Sequence, residues 1–131
     1  HPNGGLGFRF DENGASFVFL TDNELQHIHP GGLSFEEYVT FSENADLLIH
    51  DAEFTPKDYH RNRSWGHSRY TDVVKLAVAA GVKRLGMFHL NQRKTDTDID
   101  EMVEQAREMI AKKNSHIECF AVSNTFETTL E

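Results

Sequence analysis

The chain has 131 residues, of which 38% are hydrophobic and three are proline, so it is long enough for one globular domain with its own core. Its formal net charge of −8 argues against a surface that binds nucleic acid, which needs clustered Lys and Arg. No apolar run is long enough to span a membrane, and the single cysteine, Cys119, excludes a disulfide within the chain and fits a reducing compartment.

The first predicted element is a β-hairpin followed by a short helix. Two aromatic-rich runs flank the dipeptide Asn13-Gly14, which favours the tight turn of a hairpin. Farther along, Ser34 and Glu37 have the spacing of a capping box, and this spacing predicts a helix over 35–42. The chain therefore begins with two antiparallel strands and then a helix.

Buried strands and longer helices alternate in the rest of the chain. Apolar runs predict strands over 46–50, 83–89 and 117–122. Apolar positions repeat at helical spacing from Tyr70, with Ser68 as a cap and Gly81 as the stop. A longer helical stripe covers 99–110, and the polar residues 95–98 favour its start. A hairpin followed by such alternation predicts an α/β fold, a mixed β-sheet with helices packed on it.

Polar side chains stand where the predicted strands end. Asp51 follows the buried run 47–50, and His89 ends the next strand. The carboxyl ends of parallel strands meet at one edge of a sheet, so these side chains are expected to lie close together. Carboxylate and imidazole groups bind borderline metal ions, which makes a metal site one interpretation. A turn cap at Asp51 and a packed end group at His89 are the structural alternatives.

Two further histidines have two interpretations each. Strand alternation points His50 to the face opposite Asp51, which favours a packed histidine in the core or behind the site. His67 precedes a predicted helix, where main-chain N–H groups attract anions. It is either a group that binds phosphate or protonates a leaving oxygen, or an ordinary loop histidine.

Three blocks of the sequence together resemble the C-terminal half of a metallo-β-lactamase-fold hydrolase, on the phosphodiesterase and ribonuclease Z side of that superfamily. The blocks are His-Pro-Asn-Gly-Gly-Leu-Gly-Phe-Arg at 1–9, Leu-Ile-His-Asp-Ala-Glu-Phe at 48–54 followed by Trp-Gly-His-Ser at 65–68, and 81–89. The resemblance implies that 1–131 is a single domain, half of an αββα sandwich. The His-x-His-x-Asp-His motif of the N-terminal half is absent from this sequence, so we expect that half to be missing here.

The same resemblance implies a set of site residues. His1, Asp51 and His89 would be metal ligands, with Asp51 bridging two divalent metal ions. The expected metal is Zn, with Mn or Fe as alternatives. His67 would be catalytic together with Asp51, contacting phosphate and assisting the leaving group, and Asp22 would support the ligands from behind.

The resemblance therefore implies a metal-dependent hydrolase, a phosphodiesterase that uses water activated by two metal ions, and we expect it in the cytoplasm. The acidic composition favours a small phosphodiester substrate, and neither nucleic acid nor a membrane is expected as a partner. The alternative is a non-catalytic fragment or regulatory module that keeps the half-fold without a complete metal site and forms a homodimer through it. In either case, 1–131 alone is not expected to be active.

Overall fold

A computed structural model describes residues 7–20, 33–52, 69–88 and 95–122 of the chain. These residues contain one five-stranded sheet whose strands lie side by side in sequence order. The strands are Gly7–Glu12 (β1), Ala15–Leu20 (β2), Leu47–Asp51 (β3), Arg84–Phe88 (β4) and Glu118–Ala121 (β5). β1 and β2 are antiparallel, whereas β2, β3, β4 and β5 are parallel. The predicted mixed sheet is confirmed.

Three helices in the described residues connect the parallel strands. They are Phe35–Ser42 (α1), Tyr70–Ala80 (α2) and Asp96–Lys112 (α3). The predicted capping box at the start of α1 is present, because Ser34 Oγ accepts a hydrogen bond from the main chain of Glu37 and the Glu37 side chain accepts one in return. Thr95 and Asp98 form the same arrangement at the start of α3.

Residues with positive φ form the hairpin turn and terminate all three described helices. Asn13 and Gly14 have φ of 52° and 81°, as the tight turn between β1 and β2 requires. Gly81 follows α2 with a φ of 70°, as predicted. Asn44 and Asn114 follow α1 and α3 with φ of 57° and 55°, because asparagine tolerates the left-handed region better than most residues.

The start of α2 differs from its prediction. Arg69, rather than Ser68, is the N-cap residue, and no side chain caps the helix. Asp72 in the first turn is 1% exposed and accepts hydrogen bonds from Arg69 at 2.6 and 3.0 Å. A carboxylate in the first turn stabilises a helix through its dipole, so this pair takes over part of the role expected of a cap.

The helices cover one face of the sheet, and the main core of the described residues lies between that face and the helices. Val18, Leu48, Leu85 and Cys119 lie in register across four parallel strands, and none is more than 2% exposed. They pack in one cluster with the apolar sides of α2 and α3, and residues of α1 lie against that cluster. Burying these side chains supplies the main driving force for folding.

The opposite face carries a row of aromatic rings, which we call the phenylalanine face: Phe8, Phe10, Phe17, Phe19, Phe88 and Phe120. Five of these rings follow one another at centroid distances of 5.8 to 6.3 Å, from Phe8 on β1 to Phe88 on β4. Exposure is highest at β1, where Phe8 and Phe10 are 46% and 58% exposed. On β3 the same face is buried, and Asp51 lies on it.

Candidate functional site

Asp51 is the final residue of β3, and strand pairing fixes its position. Its Cα pairs with that of Phe88, the last residue of β4. One residue farther on, the Ala52 N–H donates to the Phe88 carbonyl at 2.8 Å. The Asp51 carboxylate is fully buried, so a polar group stands at the carboxyl edge of the sheet in an environment with little water.

The sequence of β3 explains why the strand delivers a carboxylate to this place. All five of its residues are buried, because β2 and β4 flank it and the helices cover one of its faces. A central parallel strand is usually a continuous apolar run, and Leu47, Leu48 and Ile49 provide one. The two polar residues that follow, His50 and Asp51, therefore stand out as residues that apolar packing does not require.

His50 points away from the phenylalanine face and into the core, as strand alternation predicts. It is fully buried, and its Nδ1 donates a hydrogen bond to the main-chain oxygen of Asp51 at 2.7 Å. Burial lowers the pKa of His50, although the Asp51 carboxylate and this hydrogen bond act in the opposite direction. The imidazole is therefore neutral at neutral pH, and the expectation of a packed histidine is confirmed.

Four of the predicted site residues, namely His1, Asp22, His67 and His89, lie outside the described residues, so their roles stay predictions. The described strand ends nevertheless reach one edge, because Leu20, His50 and Met87 lie in register on β2, β3 and β4.

The sequence continues from these ends directly into predicted site residues. Asp22 comes two residues after Leu20, and His89 comes immediately after Phe88. Open α/β folds build their sites at this place, just beyond the carboxyl ends of parallel strands.

The described residues do not form a complete metal centre by themselves. Within 7–20, 33–52, 69–88 and 95–122, no group of three or more His, Cys, Asp or Glu side chains is arranged to hold a metal ion. Asp51 itself fits such a centre, since a buried carboxylate at a strand end is a suitable ligand for Zn, Mn or Fe. The other ligands would have to come from elsewhere.

Sequence reasoning missed the ion pair that anchors the segment after His67. Arg69 and the buried Asp72 join the N-cap of α2 to its first turn. Their i,i+3 spacing at the start of an apolar helical stripe is a signal that predicts such a pair. The pair fixes where α2 begins, three residues after His67 in the sequence.

The opposite edge of the sheet, where the parallel strands begin, has its own polar cluster. The Asp46 carboxylate accepts a hydrogen bond from the Ser16 main-chain N–H at 2.7 Å, and it forms an ion pair with the Lys83 ammonium group at 2.9 Å. These contacts join the starts of β2, β3 and β4. Lys83, and after it Ser16, hold the pKa of Asp46 below its ordinary value, so its carboxylate stays ionised at neutral pH.

In the part of the chain that the structure describes, no helix is both long enough and apolar enough to cross a membrane.

Comparison with known proteins gives matches in sequence and in structure. The chain is 29% identical to a ribonuclease Z of Macrococcus caseolyticus over 92% of its own length, and 34% identical to one of Haloarcula marismortui over 72%. It spans only 35% and 27% of the length of those relatives. No protein-family model matches it.

Two solved structures share the fold. The metallo-β-lactamase fold protein YhfI from Bacillus subtilis superposes with a TM-score of 0.68 at 23% identity, over 92% of this chain and 42% of that one. The short form of human tRNase Z superposes with a TM-score of 0.61 at 20% identity, over 95% of this chain and 38% of that one. The expected metallo-β-lactamase fold is confirmed.

The expectation about partners is wrong. Nucleic acid was not expected and a small phosphodiester was, yet the relatives are ribonucleases and one structural neighbour is a tRNase. Net charge misled the prediction for two physical reasons. A metal centre supplies its own positive field to a phosphate, and the charge of 131 residues does not describe proteins about three times as long. Over the part of those proteins that it spans, this chain is a metallo-β-lactamase-fold homologue of ribonuclease Z.

Proposed function

We propose that this chain forms part of a metal-dependent ribonuclease, which hydrolyses phosphodiester bonds in RNA. The observation that carries this function is its sequence similarity to ribonuclease Z, which extends over 122 residues in one relative. The burial of Asp51 at the carboxyl edge of the sheet supports it, because a carboxylate in that position suits a metal ligand.

Asp51, His1 and His89 would hold two divalent metal ions, with Zn as the expected metal and Mn or Fe as alternatives. When bound, such ions lower the pKa of a water molecule and neutralise the charge of a phosphodiester. Asp51 contributes rigidity, because its main chain is part of a fully buried strand. A ligand held in this way loses little conformational entropy when it binds.

His67 would act on the leaving group. It precedes α2, and the N-terminal turn of a helix has free main-chain N–H groups that favour a phosphate oxygen. An imidazole near such a phosphate can donate a proton to the leaving oxygen. The Arg69–Asp72 pair holds the start of α2, and His67 comes two residues before Arg69 in the sequence.

The cytoplasm is the proposed location, because a chain whose single cysteine, Cys119, is a free thiol fits a reducing compartment.

Cleavage of a precursor transfer RNA by the purified full-length gene product tests the function. The wild-type protein is expected to cleave it in the presence of Zn²⁺ or Mn²⁺, and D51N is expected to reduce the rate at least about 100-fold. D46N is the matched control, because it makes the same substitution at the other end of β3 and should keep most of the activity.

Bis-p-nitrophenyl phosphate separates the chemistry from the choice of substrate. Hydrolysis of this small ester without cleavage of the RNA would support a phosphodiesterase but contradict a ribonuclease. Absence of both activities with either metal would contradict the proposed function as a whole.

A further inference from the structure

β5 is the last strand of the described sheet, so among the described residues one of its edges has no strand beside it. Its sequence, Glu-Cys-Phe-Ala, has one charged residue, whereas β1 at the other end of the sheet has three among six. Main-chain groups at an uncovered edge can pair with a strand of another chain, and charged side chains are one means by which proteins prevent this. The composition of β5 gives it less of this protection than β1 has.

Pairing with β4 determines which main-chain groups of β5 point outward. The N–H groups of Glu118 and Val122 donate to carbonyl oxygens on the β4 side at 3.1 and 2.9 Å. Main-chain groups of successive residues in a strand point to opposite sides, so those of Cys119 and Ala121 point away from β4. These two residues carry the N–H and C=O groups that an added strand would bind.

Arg107, on α3, already binds one of these outward groups. Its Nε donates a hydrogen bond to the Cys119 carbonyl oxygen at 3.0 Å. Its Nη1 donates to Glu104, one turn earlier on the same helix, at 2.6 Å. The Arg107 side chain is half exposed, and its guanidinium group is always protonated. An added strand would therefore have to break both contacts and cover a positive charge.

We propose that Arg107 guards the outer edge of β5: by binding the Cys119 carbonyl, it prevents β5 of a second copy of the protein from pairing with this strand. A second copy is the partner because a twofold axis can pair an edge strand with itself. The guarding role goes beyond the proposed hydrolysis and is independent of it, since it needs neither metal nor substrate.

Two substitutions of similar length separate the hydrogen bond from the charge. R107Q places an amide nitrogen near the position of Nε and keeps the donor, whereas R107M places a methyl group there. In the full-length gene product, R107M is expected to self-associate at least about tenfold more tightly than wild type, and R107Q to stay within about twofold. Sedimentation velocity over a range of concentrations measures this, with the wild-type oligomeric state as the reference.

K112M is the matched control, because Lys112 is an exposed cation at the end of the same helix. K112M, R107Q and R107M each remove one positive charge. Equal self-association in all three would show that charge carries the effect and would overturn the role of the hydrogen bond. An R107M variant that associates no more than wild type overturns the guarding role as well.

A second substitution tests whether the contact forms at β5. Proline at position 121 removes an N–H that points away from β4, so it costs no hydrogen bond of the described ladder. R107M/A121P is therefore expected to return to the wild-type oligomeric state. Association through partial unfolding would instead increase in this double variant, because proline adds strain, and that result overturns the inference.

Hydrogen exchange of the amides of Cys119 and Ala121 gives a readout at the edge itself. Both amides are expected to exchange more slowly in associated R107M than in wild type, and unchanged exchange in the associated form overturns the inference. If thermal unfolding shows that R107M does not fold, E104A replaces it, because Glu104 is exposed and holds Arg107 in place. Wild-type self-association in E104A would then overturn the guarding role, and tighter association that A121P reverses would support it.

Discussion

The two ends of β3 carry aspartates with different surroundings. Asp46 stands just before the strand, partly exposed, where hydrogen bonds and an ion pair tie it to β2 and β4. Asp51 stands at the other end, fully buried beside the last residue of β4. Both are acidic residues that flank the apolar run 47–49, Asp46 directly before it and Asp51 after His50.

The difference predicts that stability and chemistry depend on opposite edges of the sheet. At the starting edge, the polar groups bind one another and fix the register of three parallel strands. At the carboxyl edge, the described strands end and the sequence continues into the residues predicted to bind metal and substrate. A substitution at the first edge should therefore change the free energy of unfolding, and one at the second should change metal binding or catalysis.

The largest expected effects distinguish two histidines assigned to the carboxyl edge. H89A is expected to reduce metal affinity and RNA cleavage together, each by at least about 100-fold, because it removes a ligand. H67A is expected to keep the metal and lose cleavage by about 100- to 10,000-fold, because it removes a proton donor. Metal titration and single-turnover kinetics measure the two quantities separately.

H116A is the matched control for both variants, since His116 is exposed and lies just before β5. It should change neither quantity by more than about twofold. Loss of metal in H67A, or its retention in H89A, would reverse the two assignments.

A smaller effect is expected at the starting edge. D46N should lower the free energy of unfolding by about 1 to 2 kcal/mol, because it weakens a hydrogen bond between charged and main-chain groups. K83M should cost less than about 0.5 kcal/mol, since the Lys83 side chain is 73% exposed and water screens its ion pair. Urea unfolding at pH 7 measures both changes, and equal losses would show that the ion pair, rather than the hydrogen bond to Ser16, carries the effect.

The same aspartate predicts a direction for the pH dependence. The folded-state pKa of Asp46 lies below the ordinary value of 3.8. The stability that its ionised carboxylate contributes is therefore complete above pH 3.8 and is lost as the pH falls through the folded-state pKa. Wild type and D46N should therefore differ in stability at pH 7 and converge as the pH drops below 3.8. A difference that grew on acidification would contradict this assignment.

The smallest effect concerns Cys119, on the helix-covered face of the sheet. Its burial and raised pKa of about 11 predict that iodoacetamide modifies it at least about 100-fold more slowly in the folded protein than in urea. Mass spectrometry of timed samples measures the rate. Rapid modification of the folded protein at pH 8 would show that this face opens more readily than its packing indicates.

Local signals in the sequence were enough to predict most elements of the fold. Asn13-Gly14, the capping box at Ser34 and the stop at Gly81 are short-range features, and the structure has each of them. The helix stops at Asn44 and Asn114 were missed, because asparagine also occurs widely in ordinary loops.

The contacts between distant segments were harder to predict. The link from Asp46 to Ser16 joins residues 30 positions apart, so no local pattern reveals it. The expectation about partners was wrong because it relied on net charge, which averages over a surface and does not describe a single site. Strand alternation, in contrast, correctly separated His50 from Asp51.

The metal content of D51N is the most direct test of the carboxyl-edge site. Wild type, D51N and D22N, each as the full-length gene product, would be loaded with Zn²⁺, desalted and measured by elemental analysis. D51N is expected to lose at least half of the bound zinc, and D22N to retain most of it. Full zinc in D51N together with loss in D22N would contradict the account and move the bridging role to Asp22.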